Sequence, residues 1–196
     1  VKMNVRTINN KAVVLTDKAG IADFKFLYLG NYYVKETSLH GGYLRNDSAE
    51  KVSLNYKDYE TSYVEADKNA EFKNERQKAK VKVIVRDKED EARKPEGAIY
   101  GLYNKDRMYN ADGSLLMEKD TLIETVCTSD RGFGIFESDI PFGNYYIKEI
   151  EPAIGYDSND EIKEFKFTGD LSNEESIETN IIYETEQTKT VFALMD

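Results

Sequence analysis

The stretch GNYYVKET at 30–37 returns as GNYYIKEI at 143–150, and this self-similarity constrains the fold more than any other feature of the chain. The match extends on both sides: residues 16–43 align with residues 128–156. Thr16, Gly20 and Phe24 pair with Thr128, Gly132 and Phe136. After a one-residue insertion, Gly30, Asn31, Tyr32, Tyr33, Lys35, Glu36, Gly42 and Tyr43 pair with Gly143, Asn144, Tyr145, Tyr146, Lys148, Glu149, Gly155 and Tyr156. So many coincidences in one register mean duplication, and whatever fold one copy adopts must be available to the other.

That unit reads as all-β. Period-two alternation with aromatic and β-branched enrichment recurs in VKVIV, AIYGLY, TLIETVCT, NYYIKEI, EIKEFKF and ETNIIYE. Turn chemistry separates these runs in NADG, SDRG, IPFGN and AIGYDSND. No segment carries a capped 3.6-residue apolar period, and short strands at this spacing predict a β-sandwich. The polar run NERQKAK (74–80) marks the join, giving one domain at 1–78, a complete one at 79–188, and a tail at 189–196. Without Gly or Pro the join is expected to be short and stiff. The first copy has no obvious counterpart of 81–112: either it lacks its first strands, or VKMNVRT is a first strand followed by a shortened loop. The tail TVFALMD resembles AIYGLYN or, alternatively, VKVIVRD, and so reads as the start of a further repeat or as a strand for donation.

In a strand, alternate side chains share a face. Tyr145, Ile147 and Glu149 lie on one face of YYIKE, and Tyr32, Val34 and Glu36 do so in the first copy. If this face points inward, a carboxyl is held among apolar groups; if Glu marks the strand end, it reaches solvent.

Charge and composition remove several function classes. The net charge of −10 argues against nucleic acid and anionic membrane surfaces, which need basic patches. No apolar run approaches a membrane span, so no insertion is expected from this segment. Cys127 is the only cysteine, which excludes an internal disulfide, and it is expected to be a small buried hydrophobe. His40 is the only histidine and lies in a Gly-rich turn, so Cys-His and Ser-His-Asp catalysis and a His-based metal site all lack material. DSNDEIKE spaces Asp157, Asn159 and Glu161 like the start of a calcium loop but lacks the later Gly and distant Glu, and reads as a solvated turn. No metal or cofactor is expected. RGFG and HGG do not sit between a strand and a helix, so they are poor phosphate cradles. DKEDEARK (87–94) reads as a polar loop. Tyr56, Tyr59, Tyr63, Tyr100, Tyr103 and Tyr109 are read as packing residues, with an exposed aromatic row for sugar or protein as the other reading.

The segments TDKAG…LGNYYVKET…GGY, AEFKNERQKAKVKV, KPEGAIYGLYNKD and GNYYIKEIEPAIGY resemble the SpaA-type, CnaB-like prealbumin-fold repeats of Gram-positive surface adhesins and pilins, over nearly the whole chain. The resemblance implies tandem CnaB-like (prealbumin/Ig-like) sandwiches and an extracellular, cell-wall-associated stalk. It implies neighbouring repeats as partners, and host protein or glycan as the ligand of an alternative binding module. It also implies a self-formed amide between Lys on the first strand and Asn on the last, promoted by a buried Glu. There a desolvated amine attacks while a protonated carboxyl polarises the Asn carbonyl. Glu36 and Glu149 match the catalytic position, for self-cross-linking only. Asn74 matches the acceptor of the first copy; in the second, Glu184 falls there and Asn180 comes too early. The lysine position holds Val85 in the second copy and Leu194 in the tail, with Lys2 and Lys11 as weak candidates in the first. The resemblance therefore implies a cross-link in the first copy more readily than in the second. No catalytic constellation for an external substrate accompanies these acids, and no turnover is expected.

Overall fold

The computed structural model describes residues 6–8, 11–38, 41–110 and 112–189. Lys2, His40, Leu194 and all of the 189–196 tail except Lys189 lie outside the described residues, as do the side chain of Lys11 and the first five residues of VKMNVRT. Every regular element described is a β-strand. The chain divides into two compact units, Val1–Thr37 with Asn46–Lys73, and Ser38–Arg45 with Asn74–Asp196.

The first unit holds two antiparallel pairs. Strands β1 (Arg6–Ile8) and β2 (Lys11–Val13) form one, β3 (Gly30–Lys35) and β4 (Ala49–Leu54) the other. Alternation along β3 sets Tyr32 and Val34 half-buried and leaves Tyr33 exposed. Tyr32 faces Val52 in the register, and Val52 is the one buried hydrophobic of this unit among the described residues. Among the described residues little apolar area of this unit is removed from water, so they contribute little core stability.

The second unit has two larger sheets. Strand β5 (Lys78–Asp87) begins it, followed by β6 (Ile99–Asn104), the short pair β7 (Met108–Tyr109) and β8 (Leu115–Met117), β9 (Leu122–Cys127) and β10 (Phe133–Phe136). Strands β11 (Gly143–Glu151), β12 (Ile162–Phe167) and β13 (Ser176–Thr185) complete it. One sheet runs β10-β5-β13, the other β12-β11-β6-β9. The first and last strands, β5 and β13, pair in parallel over their whole length, from Ser176 opposite Lys78 to Thr185 opposite Asp87.

Period-two patterning builds the core. Val81, Val83 and Val85 of β5 and Ile181 and Tyr183 of β13 meet Tyr100 and Leu102 of β6 and Tyr145 and Ile147 of β11 in one buried cluster. Both sheets contribute, so they pack face to face as a sandwich. Each such side chain contributes about 1.5–3 kcal/mol on burial.

The Gly-Tyr that follows each YYxKE strand does the same work at both places. Tyr156 bridges Gln187, and Thr188 N donates to Gly155 O at 2.9 Å; Tyr43 bridges Arg76, and Gln77 N donates to Gly42 O at 2.8 Å. All of these residues belong to the second unit by its contacts, including Ser38–Arg45, which the repeat alignment assigns to the first copy. Gln77 is wholly buried and fully used: its amide nitrogen donates to Asp170 Oδ1 and Glu174 O, and its amide oxygen accepts from Asp170 N. Gly42 must be glycine, because its φ is +95° and a Cβ would lie 2.5 Å from the Phe142 ring.

Candidate functional site

The YYIKE strand sends its acid inward. Tyr145 and Ile147 are fully buried on β11, Glu149 continues their face, and the register with β6 shifts between Glu149 and Glu151. That bulge ends the regular ladder just past the acid. Both carboxylate oxygens of Glu149 are engaged: Tyr100 Oη donates to Oε1 at 3.0 Å, and the backbone N–H of Asn159 donates to Oε2 at 2.6 Å. Tyr100 packs on Tyr183 with ring centroids 4.8 Å apart, and Tyr183 Oη donates to the carbonyl of Ile147. Burial, with the Glu149 charge as the next cause, pushes the Tyr100 phenol far above its usual range, and burial does the same to Tyr183.

This arrangement bears on the expected chemistry. Val85 and Tyr183 are register partners in the parallel pair, so both side chains point into the sandwich; they are 1% and 0% exposed. Lys78, Lys80 and Lys82 alternate to the other face of β5, where Lys82 lies over the Phe133 ring. The inner positions of this strand pair are thus held by a valine and a phenol. Asn180 and Glu184 are exposed on the outer face of β13, because Ile181, Tyr183 and Thr185 take the inner positions. In the second unit the acid is a hydrogen-bond hub that ties β6 to the 159 turn.

Glu36 follows β3 half-buried, on the face of Tyr32 and Val34. It falls in the first unit, whereas Asn74 is exposed and falls in the second.

Other residues singled out by sequence take plainer roles. Asp157 Oδ1 accepts from Thr188 Oγ1, Asn159 Oδ1 accepts from Glu161 N, Asn159 Nδ2 donates to Glu184 O, and Glu161 pairs with Lys163 at 3.1 Å. Those oxygens hold the turn together. Cys127 corrects an expectation: it is exposed, because Val126 and Thr128 take the inward positions and Thr128 Oγ1 is held by Ala98 N and Pro95 O. The packing reading of the tyrosines holds for Tyr100, in the core, and Tyr103, stacked on Tyr146 at 5.0 Å. It fails for Tyr56, Tyr59, Tyr63 and Tyr109, which are exposed.

One important residue gave no signal in the sequence. Asp87, at the end of β5, is 2% exposed; its Oδ1 accepts from Glu89 N and Asp90 N, and its Oδ2 from Tyr156 Oη. These hydrogen bonds, foremost that from Glu89 N, hold its carboxyl below the usual Asp value.

Comparison with known proteins agrees with this architecture. The SpaA prealbumin-like fold domain family matches residues 1–70 and 79–181. Among solved structures, the Bacillus anthracis TIE protein superposes with a TM-score of 0.63 at 24% identity, over 92% of this chain and 30% of that one. The group B streptococcus pilus 2b backbone protein gives 0.43 at 14% identity, over 70% and 49%, and the major pilin SpaD of Corynebacterium diphtheriae 0.40 at 12%, over 57% and 32%. The chain thus spans half or less of the length of each of these. No curated protein matches it. With two matched stretches covering most of its length, the chain belongs to the SpaA family of prealbumin-like fold domains.

Proposed function

We propose that this chain is a structural spacer of a Gram-positive cell-surface adhesin or pilus, with CnaB-like sandwich units in tandem at 1–78 and 79–188, held outside the cell and joined to neighbouring repeats of the same protein. It carries load and turns over no substrate. One observation carries this reading. The first and last strands of the second unit, β5 and β13, are parallel register partners over ten residue pairs. Tension enters at the Lys78 end of β5 and leaves at the Thr185 end of β13, which are opposite ends of one ladder. Pulling therefore shears all its hydrogen bonds together instead of peeling them one by one. Such a unit resists extension without a covalent clamp, which suits a site occupied by Val85 and Tyr183. For the first repeat, 1–78, the proposal includes an amide to Asn74 promoted by Glu36, whose signature is an intact mass one ammonia below the sequence mass, restored by Glu36→Ala.

Single-molecule pulling tests the spacer reading. End-to-end loading should give a much higher unfolding force than loading through handles at residues 78 and 176, which lie side by side and peel the ladder. Equal forces in the two geometries would overturn it.

A further inference from the structure

The first unit carries a surface that load bearing does not require. Residues 55–66 leave β4 and return to it. Ser53 N donates to Asp67 Oδ1 at 2.8 Å, and Asp67 N donates to Ser53 O at 3.0 Å, which closes the base of the loop. Asp58 Oδ1 accepts from Glu60 N and Thr61 N, which shapes the tip. On this clamped loop Tyr56, Tyr59 and Tyr63 are 58%, 101% and 83% exposed, and the first two rings meet edge to face with centroids 5.7 Å apart. Three solvated phenols on one short loop give up the burial that tyrosine ordinarily gains in a sheet protein.

The charges around them are lopsided. Asp58, Glu60 and Glu65 share the loop with Lys57 alone, since Lys68 is paired with Glu50 at 2.7 Å. Hydrogen bonds from Thr61 and Glu60 keep the Asp58 carboxyl below its usual value, so it stays charged in mild acid.

We infer that this loop is a recognition surface for a cationic, arginine- or lysine-bearing segment of another protein. The rings offer negative π-faces to guanidinium or ammonium groups, and the neighbouring carboxylates supply ion pairing and steering. Tyrosine gives large contact area at low conformational cost, which suits a preshaped loop. A second copy is disfavoured as the occupant because each chain carries a net charge of −10. Acidic glycans are disfavoured on the same ground, and a neutral glycan would leave the carboxylate excess without a role. This inference does not depend on the spacer reading, and either stands if the other fails.

The test uses the full chain and a fluorescein-labelled peptide alternating Arg with Gly, at about 0.15 M ionic strength so that long-range attraction is screened. The triple variant Tyr56→Ala/Tyr59→Ala/Tyr63→Ala keeps every charge and should bind roughly ten-fold more weakly. Tyr28→Ala/Tyr33→Ala, which removes two other exposed rings of the unit, should bind like the wild type. Bound peptide should also protect Tyr56, Tyr59 and Tyr63 from nitration by tetranitromethane, read by mass spectrometry, while Tyr28, Tyr33 and Tyr109 stay reactive. Unchanged affinity in the triple variant would overturn the inference, since net charge alone would then explain binding. So would absence of peptide binding, or a glycan-array hit lost on the same triple substitution while the peptide does not bind.

Discussion

Tyr100 and Glu149 face each other across the β6–β11 register, and the phenol donates to the carboxylate at 3.0 Å inside the second unit's sandwich. The bond gives the acid on this apolar strand face a role in the second unit. With Asn159 N–H on the other oxygen, the carboxylate offsets its partial burial by satisfying two donors that have moved away from water.

Removing the acid should therefore cost more than removing a surface residue. Glu149→Ala is expected to destabilise the second unit by about 1–3 kcal/mol, because it strands the Tyr100 hydroxyl and the Asn159 amide. Tyr100→Phe should cost less, and the double variant should cost less than the two singles added, with a coupling of about 1 kcal/mol or more. Urea unfolding of the four proteins checks this; strict additivity would mean that the bond contributes nothing.

The buried phenols also set an alkaline limit. Tyr145 is fully buried and donates to Pro141 O, and burial pushes its pKa up to about 12 from 10.0. A group whose folded pKa is raised contributes stability that is complete below pH 10 and is lost as pH rises toward 12. Absorbance at 295 nm should rise with phenol ionisation over this range. A cooperative step should coincide with loss of the sheet signal in circular dichroism, and Tyr145→Phe should move that step to higher pH.

At the acid end the relevant group is Asp87, whose carboxyl is held below its ordinary 3.8 by the amides of Glu89 and Asp90 and the Tyr156 hydroxyl. Because the folded value is depressed, the contribution is present above about pH 4 and is lost as pH falls through the folded value. Asp87→Asn should lower the melting temperature at pH 7 and flatten its decline between about pH 4 and pH 2. An unchanged acid profile would count against this role.

Much of this architecture was legible because strand periodicity is a local signal. The split of Tyr145, Ile147 and Glu149 from Tyr146, Lys148 and Ile150 follows from alternation alone, and the same split at Tyr32, Val34 and Glu36 follows from the repeat. What escaped depends on pairings between distant residues. The outward turn of Asn180 and Glu184 is fixed by the register of β13 on β5, a relation about a hundred residues long in sequence. Cys127 looked like core because its stretch is strand-like, yet its parity is set by Thr128, whose hydroxyl is locked by Pro95 and Ala98. Asp87 sits in a charge run that reads as solvated, and only the fold brings Tyr156 to it. The exposure of Tyr56, Tyr59 and Tyr63 has the same origin: a Tyr-rich stretch signals packing until the fold leaves it without a sheet to cover it.

The inner face of β5 and β13 allows a direct test of the proposed cross-link chemistry. Val85 and Tyr183 are register partners pointing into the sandwich, and half-buried Glu149 on the facing strand β11 accepts from Tyr100, whose ring packs on Tyr183. Substituting Val85→Lys and Tyr183→Asn places an amine and a carboxamide where these side chains now pack. Burial disfavours the charged amine, and a neutral lysine can attack the Asn carbonyl carbon. The new C–N bond forms as the C–N bond of the carboxamide breaks, with Glu149 relaying the proton that leaves with ammonia. The double variant is expected to show an intact mass one ammonia below its sequence mass, and adding Glu149→Ala should restore the full mass. The wild-type second unit, excised by protease and weighed, should show no loss. If the double variant folds by circular dichroism yet keeps its full mass, residue identity at 85 and 183 is not what separates this unit from a cross-linked one.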